Sequence, residues 1–232
     1  MEDFPLEVDH VVFYASRDAT GCLLAERLYL LCSDRLIPHP SQGTASNLIF
    51  FENAYLEVVQ VKDPILAAQY KNQAGVDLIS RSRWYETLAS PFGIALRSKL
   101  RNKTSPHLLE ADGYQPGPAD TSVFFDPDNL STAHEPICFL VPSAAALSTL
   151  LDLSSKAHQR LVAHPLGVRR ITKIEITIPR LGQWSQVLHL IAYQELVTFK
   201  QGLLPLLELT FDDGHRNCTI DVRPNFPIIL KY

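Results

Sequence analysis

The chain has 232 residues, of which 46% are hydrophobic and 20% are charged, and its formal net charge is −4. A chain of this length and apolar content can bury a substantial core, as one large domain or two small ones. The near balance of charge argues against a nucleic-acid partner, and no uncharged apolar run reaches the roughly 18 residues needed to cross a membrane. The acidic start, residues 1–5, lacks the basic and apolar regions of a signal peptide.

The four cysteines are scattered in apolar surroundings and form no Cys-x-x-Cys pair; they are Cys22, Cys32, Cys138 and Cys218. Isolated cysteines of this kind are typical of reduced, buried thiols. We therefore expect a cytoplasmic protein without a disulfide framework.

The first predicted strand covers residues 6–14 and carries one histidine, His10. Because side chains alternate along a strand, His10 shares a face with Val8, Val12 and Tyr14. Burying a polar group without a partner costs roughly 2–7 kcal/mol. His10 is therefore expected to be paired, to bind a metal or to face a cavity.

A second apolar strand covers residues 53–61 and carries one carboxylate, Glu57. Between the two strands, leucines at helical spacing predict a helix. The segment 39–47 follows this helix, and Gly43 gives its backbone the freedom to turn before a short strand over residues 48–51.

Three motifs of this stretch resemble the glyoxalase-like branch of the vicinal oxygen chelate superfamily. They are Asp9-His10-Val11-Val12, Gln42-Gly43-Thr44 with Asn47, and Tyr55-Leu56-Glu57. The superfamily builds half-barrels from βαβββ modules, and its members typically hold a divalent metal with a histidine on a first strand and a glutamate on a fourth. The resemblance implies an α+β fold in which curved mixed sheets surround a central pocket, with the helices outside. It places His10 and Glu57 at the two ligand positions.

The same resemblance implies a single glyoxalase-like unit over residues 1–232. Its modules are expected at about 6–62, 91–142 and 164–225, and the polar segment 154–163 is the expected linker. The resemblance is specific over residues 8–61 and weaker in the rest of the chain.

The last module repeats the pattern of the first, with a strand over residues 169–178, a helix over 181–198 and strands over 204–211 and 217–224. Superposing the two patterns sets Lys173 opposite His10 and Asp221 opposite Glu57. Glu175 lies on the same face as Lys173, two residues later, and is an alternative contributor to the cavity.

A complete metal site of the superfamily draws ligands from two modules, and here the second set is incomplete. Lys173 is a poor ligand because its ammonium group has donors and no lone pair. The middle module offers only Gly93, Ala95 and Cys138. We therefore expect either no cofactor or one divalent ion (Zn, Fe, Mn or Mg) bound weakly by His10 and Glu57, with His39 or another histidine needed to complete the set.

Other motifs add little chemistry. The basic residues of segment 97–103 alternate with neutral ones, which predicts a solvated strand edge, with an anion-binding lip over the pocket as the alternative. A Gly-x-Ser-x-Gly elbow and a phosphate-binding Gly-x-x-x-x-Gly-Lys loop are both absent from the sequence.

Three functions remain open. In the first, an isomerase or lyase moves a proton next to a carbonyl group, with Glu57 as base or ligand, His10 as acid or ligand and Lys173 as partner of the developing oxyanion. In the second, a metal-free protein binds and sequesters a small molecule. The third, a non-haem iron dioxygenase, needs two histidines and one carboxylate around the metal.

The substrate-binding residues expected beside this group come from two modules. They are His39, Gln42 and Asn47 from the first and Glu175 and Asp221 from the last. The expected partner is a small-molecule substrate or ligand, with no nucleic acid and no membrane, and a homodimer is left open.

Overall fold

The computed structural model describes residues 5–16, 18–99, 115–116, 123–179 and 184–232. Within these ranges the strands form two mixed sheets, one of eight strands and one of five. The eight-stranded sheet carries the candidate site on one of its faces, and the five-stranded sheet packs against the other face.

The eight-stranded sheet contains β1 (Leu6–Ala15), β2 (Ile37–His39), β3 (Thr44–Phe50), β4 (Tyr55–Val61), β5 (Phe92–Ser98), β6 (Gln115–Pro116), β7 (Phe124–Phe125) and β8 (Ile137–Leu140). Their order across the sheet is β2-β3-β4-β1-β5-β8-β7-β6. β1 is parallel to β4 and antiparallel to β5, and β5 is in turn parallel to β8. The two four-stranded halves thus repeat one order outward from the β1–β5 pair, and the sheet curls into a half-barrel around a cavity.

The helices are α1 (Gly21–Arg27), α2 (Pro64–Ala74), α3 (Leu78–Ser82), α4 (Trp84–Thr87), α5 (Pro127–Leu130), α6 (Leu147–Leu150), α7 (Lys156–Leu161) and α8 (Gln186–Tyr193). Two short 3₁₀ turns cover Pro40–Gln42 and Asp212–Gly214. The Asp63 carboxylate caps α2 by accepting backbone N–H bonds, and Pro64 occupies the first helical position, where an N–H is not needed. Tyr70 of α2 and Leu78 of α3 then form one wall of the cavity. None of the helices in the described ranges is long and apolar enough to cross a membrane.

The five-stranded sheet contains β9 (Ile171–Ile178), β10 (Thr198–Gln201), β11 (Leu206–Phe211), β12 (Thr219–Asp221) and β13 (Ile228–Lys231), in the order β10-β9-β11-β13-β12. Its inner face packs against the back of the first sheet. Val11 and Phe13 of β1 join Ile174 and Ile176 of β9 in one hydrophobic core, whereas His10 points to the opposite face, toward the cavity. The second sheet therefore lies on the side away from the cavity.

The expected α+β fold with curved mixed sheets is confirmed, but the last module has its own strand order. The predicted helix over 181–198 ends at Tyr193, and residue 198 instead begins β10, an edge strand parallel to β9. The predicted strand over 217–224 is the short β12, and it pairs with β13, which the sequence pattern did not reveal. The strand order of the first module is instead repeated by β5 to β8, in the middle of the chain. The sequence pattern did not reveal this, because hydrophobic periodicity predicts strands without predicting their partners.

The segment 154–163, expected as a linker, contains helix α7. On either side of it, residues of both sheets share the hydrophobic core described above. We therefore propose that the chain folds as one unit.

Candidate functional site

A cavity of about 410 Å³ lies on the concave face of the eight-stranded sheet. Its floor is formed by alternate residues of the two adjacent parallel strands β1 and β4. These residues are His10, Val12 and Tyr14 of β1 and Tyr55, Glu57 and Val59 of β4. The alternation follows from strand geometry, because every second side chain faces the same side of a sheet.

The Glu57 carboxylate lies between two imidazoles. Its Oε2 is 3.4 Å from His10 Nε2, and its Oε1 is 3.4 Å from His39 Nε2. His39 ends β2, and its Nε2 is also 2.9 Å from the hydroxyl oxygen of Ser46 on β3. The structure thus brings together His10, Glu57 and His39, as expected from the sequence, and Gln42 lies beside them in the cavity wall.

Asp9 holds the other side of the His10 ring, with its Oδ1 2.8 Å from His10 Nδ1. Strict alternation would place consecutive side chains on opposite faces of the sheet. A register shift between Val8 and His10 in the β1–β5 pairing allows the contact, because a bulge redirects the side chain at its extra residue. Asp9 therefore fixes which nitrogen of His10 faces Glu57.

Asp9 is itself fully buried, and each of its carboxylate oxygens has a partner. Its Oδ2 accepts from Arg97 Nη1 at 3.0 Å and from the Leu147 backbone N–H at 2.8 Å. Arg97 also donates from Nε to Glu7 at 2.8 Å. The predicted solvated edge at 97–103 is therefore wrong for Arg97, which is buried, and residues 100–103 lie outside the described ranges.

The protonation of the group follows from these contacts. Burial disfavours the imidazolium form of His10, but Asp9 and Glu57 outweigh it and raise the pKa of His10 above its ordinary value. Burial alone would raise the pKa of Glu57, yet the two histidines hold it far below the usual range of a glutamate. The pKa of Asp9 is lowered for the same reason, since His10, Leu147 and Arg97 overcome its burial. The two carboxylates beside His10 therefore favour its imidazolium form.

Aromatic rings surround this polar group. Tyr55 stacks on the His10 ring, with centroids 4.2 Å apart and planes inclined by 21°. Phe139 of β8 meets the same ring edge-on, at 5.7 Å between centroids. Phe139 was not among the predicted site residues, because a phenylalanine on an apolar strand is typical of any core.

Asn47, predicted to bind substrate, faces away from the cavity. In β3 the Ser46 side chain points toward His39, so that of Asn47 points to the other face. There it packs on Gly21 of α1, where an added Cβ would lie 2.5 Å from the Asn47 Cβ. The prediction for Asn47 is thus corrected to a contact between helix and sheet.

Lys173, Glu175 and Asp221 are not brought to the cavity. Lys173 and Glu175 lie on the outward face of β9, where their side chains form an ion pair at 2.9 Å. Asp221 is exposed and pairs with Arg223. The superposition that predicted their place is wrong, because β9 pairs with β10 and β11 in the rear sheet, whereas β1 pairs with β4 and β5.

His164 has a structural role. Its Nδ1 accepts the Leu31 backbone N–H at 2.9 Å, and its Nε2 lies 2.8 Å from the Phe50 carbonyl oxygen. Both ring nitrogens are therefore used to tie separate backbone segments together.

The residues present do not fit the complete metal site of the resembled superfamily. Ala95 stands opposite His10 on β5, and Phe139 on β8 stands opposite Ala95, so neither position supplies a ligand. Cys138 faces the core between the sheets. Across the described ranges, no group of three or more His, Cys, Asp or Glu side chains is arranged to hold a metal ion.

A family model and solved structures match this chain. The model of a family described as glyoxalase-like domain matches residues 8–191, more than three quarters of the chain. A hypothetical protein from Staphylococcus aureus has a similar structure, with a TM-score of 0.58 and 11% identity over 97% of this chain and 98% of that one. A mutant 4-hydroxymandelate synthase from Streptomyces coelicolor matches with a TM-score of 0.38 and 13% identity over 90% of this chain and 71% of that one. None of the curated proteins matches the sequence.

Proposed function

Because this chain belongs to the glyoxalase-like domain family, a branch of the vicinal oxygen chelate superfamily, we propose that it is an isomerase or lyase that acts on a small oxygenated organic molecule. The reaction is proton transfer next to a carbonyl group. The observation that carries this proposal is the ionised Glu57 carboxylate, which faces the cavity 3.4 Å from His10 Nε2, while Asp9 holds the other nitrogen of the His10 ring.

Each residue has a defined task in the proposed reaction. The substrate carbonyl oxygen displaces the Glu57 oxygen from His10 Nε2 and accepts its N–H bond. Glu57 removes the proton from the carbon next to the carbonyl group, and the electron pair moves to the oxygen as an enolate. His10 stabilises this developing charge, which is the role once expected of Lys173. The proton then returns to a neighbouring carbon in an isomerase, or a leaving group departs in a lyase.

Substrate binding would also make Glu57 a better base. In the free protein the two histidines lower the pKa of Glu57, which weakens it as a base. When the carbonyl oxygen takes the His10 N–H, one of the two stabilising partners is lost and the pKa of Glu57 rises. His39 keeps its place on the other oxygen and holds the carboxylate in orientation.

The same low pKa favours a second candidate, a metal-free protein that binds and sequesters a small molecule. A weak base in an apolar cavity can recognise a ligand without transforming it. The two candidates differ in one measurable reaction. Solvent deuterium exchange of α-protons, followed by NMR over a panel of ketones and aldehydes, should occur in the presence of the enzyme. Ligands that bind without any exchange would support sequestration instead.

Metal dependence is a separate proposal. His10, His39 and Glu57 supply two histidines and a carboxylate, but Ala95 and Phe139 occupy the remaining expected ligand positions and the described side chains are not arranged to hold a metal ion. We therefore propose that a divalent ion binds weakly or is not held, which disfavours the dioxygenase alternative. Elemental analysis of purified protein should find much less than one equivalent of Zn, Fe, Mn or Mg per chain. One tightly held equivalent would overturn this. A cytoplasmic setting, a small-molecule partner without nucleic acid or membrane, and a homodimer also remain proposals.

A further inference from the structure

The walls of the cavity are mostly aromatic and aliphatic. Among the lining residues that the structure describes, five tyrosine or phenylalanine side chains are buried: Tyr14, Tyr55, Tyr70, Phe125 and Phe139. Phe125 and Phe139 lie together, with ring centroids 5.8 Å apart, on the far side of the cavity from Glu57's own strand. Aromatic faces and edges of this kind favour planar rings over flexible polar chains.

Apart from the hydroxyl groups of Tyr14, Tyr55 and Tyr70, the polar groups of the described lining lie around Glu57. They are the His10, His39 and Glu57 group with Ser41 and Gln42 beside it, and the rest of the described lining is aromatic, aliphatic or proline. A ligand that satisfies both regions has one oxygen function at one end and an apolar body at the other. A volume of about 410 Å³ is in the usual range for such small molecules.

An anionic ligand is disfavoured by the charges already present. Both nitrogens of the His10 ring face carboxylates, Asp9 at 2.8 Å and Glu57 at 3.4 Å, so a positive charge on this ring already has two anionic partners. Of the lining residues that the structure describes, none is a lysine or an arginine. A carboxylate or phosphate would therefore lose its hydration next to Glu57 without gaining a cation.

A cationic ligand is disfavoured for a related reason. Aromatic rings attract cations, and an ammonium group would gain most from a free carboxylate beside them. In this cavity each oxygen of Glu57 already faces a histidine, at 3.4 Å in both cases. A neutral carbonyl oxygen has less to overcome, since it replaces only the contact between His10 and Glu57.

We infer that the ligand of this cavity is an uncharged aryl or ring-bearing carbonyl compound, with its oxygen at His10 and its ring against Phe125 and Phe139. This inference rests on the proposed function, because it assigns a substrate class to the same site. It excludes anionic substrates such as phosphorylated sugars, carboxylic acids and charged thiol conjugates.

Three ligands with one bicyclic skeleton test the inference. They are 2-acetonaphthone, which is neutral, 2-naphthoate, which is an anion, and 2-(aminomethyl)naphthalene, which is a cation at pH 7.5. Isothermal titration calorimetry should give binding of the neutral ketone at least about tenfold tighter than of either ion, because each ion loses hydration without a free partner. Equal or tighter binding of either ion, or no binding of the ketone, would overturn the inference.

Two variants locate the binding. Phe139→Ala should weaken ketone binding, and circular dichroism checks that it is folded. Ser41→Trp, which places a large ring at the cavity wall on a partly exposed turn, should block the ketone without removing core volume. Leu204→Ala, on the exposed rear of the molecule, is the matched control and should leave binding unchanged. Unchanged ketone binding in Ser41→Trp would place the ligand elsewhere and overturn the inference.

The failure of this inference can be told apart from failure of the proposed function. Ketone binding without exchange of its α-protons in deuterated solvent would contradict the enzyme and leave the ligand class intact. Exchange of α-protons in small charged carbonyl compounds, without binding of 2-acetonaphthone, would support the enzyme and contradict the inferred ligand class.

Discussion

Two glutamates on different sheets, Glu57 half-buried and Glu175 buried, show what separates a candidate site from a structural ion pair. Glu57 lies in the eight-stranded sheet, faces a cavity and has two histidines as partners. Glu175 lies in the five-stranded sheet and has three lysines as partners, with Lys173 and Lys200 at 2.9 and 3.0 Å and Lys231 at 3.5 Å. Burial alone would raise the pKa of both carboxylates. In both cases the hydrogen-bonded partners have the larger effect and lower the pKa, to about 2 for Glu175.

The direction of a pKa shift therefore does not identify the site. Lysine side chains in general lose their proton only far above neutral pH, and those around Glu175 extend into solvent, so a change of pH near neutrality does not release that carboxylate. Histidines titrate close to neutrality, and those around Glu57 border a space that a ligand can enter. A perturbed pKa indicates a catalytic role when the partner can gain or lose a proton near neutral pH and the group faces a cavity.

The largest effect is expected at Asp9, which joins His10 to Arg97 beneath the cavity. Asp9→Ala removes one partner from a buried charge network and should cost about 3–5 kcal/mol of the free energy of unfolding. Urea denaturation measures this loss. Asp221→Ala is the control in the rear sheet, since its pairing with Arg223 is exposed and should be worth at most about 1 kcal/mol. Equal effects of the two substitutions would contradict the distinction between the regions.

A smaller loss is expected from removing apolar volume under the same site. Val12 lies between His10 and Tyr14 on β1 and is almost completely buried. Val12→Ala should cost about 1–3 kcal/mol of unfolding free energy, as other large-to-small core substitutions do. The same variant should keep the ionisation of the site, so an altered pH dependence of unfolding would count against this account.

The pH dependence of stability should separate the two clusters further. Because the pKa of His10 is raised above 6.5, its contribution is complete below pH 6.5 and is lost as the pH rises through the folded-state value. Unfolding free energy of the wild type should therefore fall with rising pH above 6.5, by at most about 1.4 kcal/mol per pH unit. His10→Asn should flatten this slope in urea titrations at several pH values.

Lys200→Gln is the matched control for the pH experiment. The pKa of Lys200 is raised above 10.5, chiefly by its hydrogen bond to Glu208, so its contribution persists through the same range. This variant should keep the wild-type slope between pH 6.5 and 9. A flattened pH dependence of unfolding free energy in Lys200→Gln would show that the effect arises in the five-stranded sheet and not at His10.

The smallest effect is expected at Glu175 itself. Glu175→Gln should change the free energy of unfolding by about 1 kcal/mol or less, because its lysine partners remain solvated after the substitution. High salt should shrink the difference further. Thermal denaturation at low and high salt measures both, and a salt-independent loss of several kcal/mol would show that this cluster is energetically a buried one.

The sequence predicted those parts of the site that are local in the chain. The strand over residues 6–14 is observed as Leu6–Ala15, and the glutamate strand is observed as Tyr55–Val61. Because β1 and β4 pair directly within one module, His10 and Glu57 meet as their motif predicts. The alternation of side chains along a strand also predicts correctly that Val12 shares the cavity face with His10.

The remaining parts depend on features that a single sequence does not display. The bulge at Asp9 breaks the alternation on which the prediction relied, and the partner Arg97 is almost ninety residues away. Phe139 reaches His10 only because β8 pairs with β5 across the sheet. The wrong placement of Lys173 in the cavity has the same origin. Apolar alternation in β9 is compatible with either sheet and does not determine which strand is its neighbour.

Glu57→Gln tests the central claim most directly, because the shape of the side chain is kept while its ability to accept a proton is lost. On a carbonyl ligand found by screening, α-proton exchange in deuterated solvent should fall by roughly 10²-fold or more, the usual scale for a lost general base. Ligand affinity should remain nearly unchanged, and circular dichroism should show an intact fold. Exchange at the wild-type rate in Glu57→Gln would contradict the catalytic role assigned to this carboxylate.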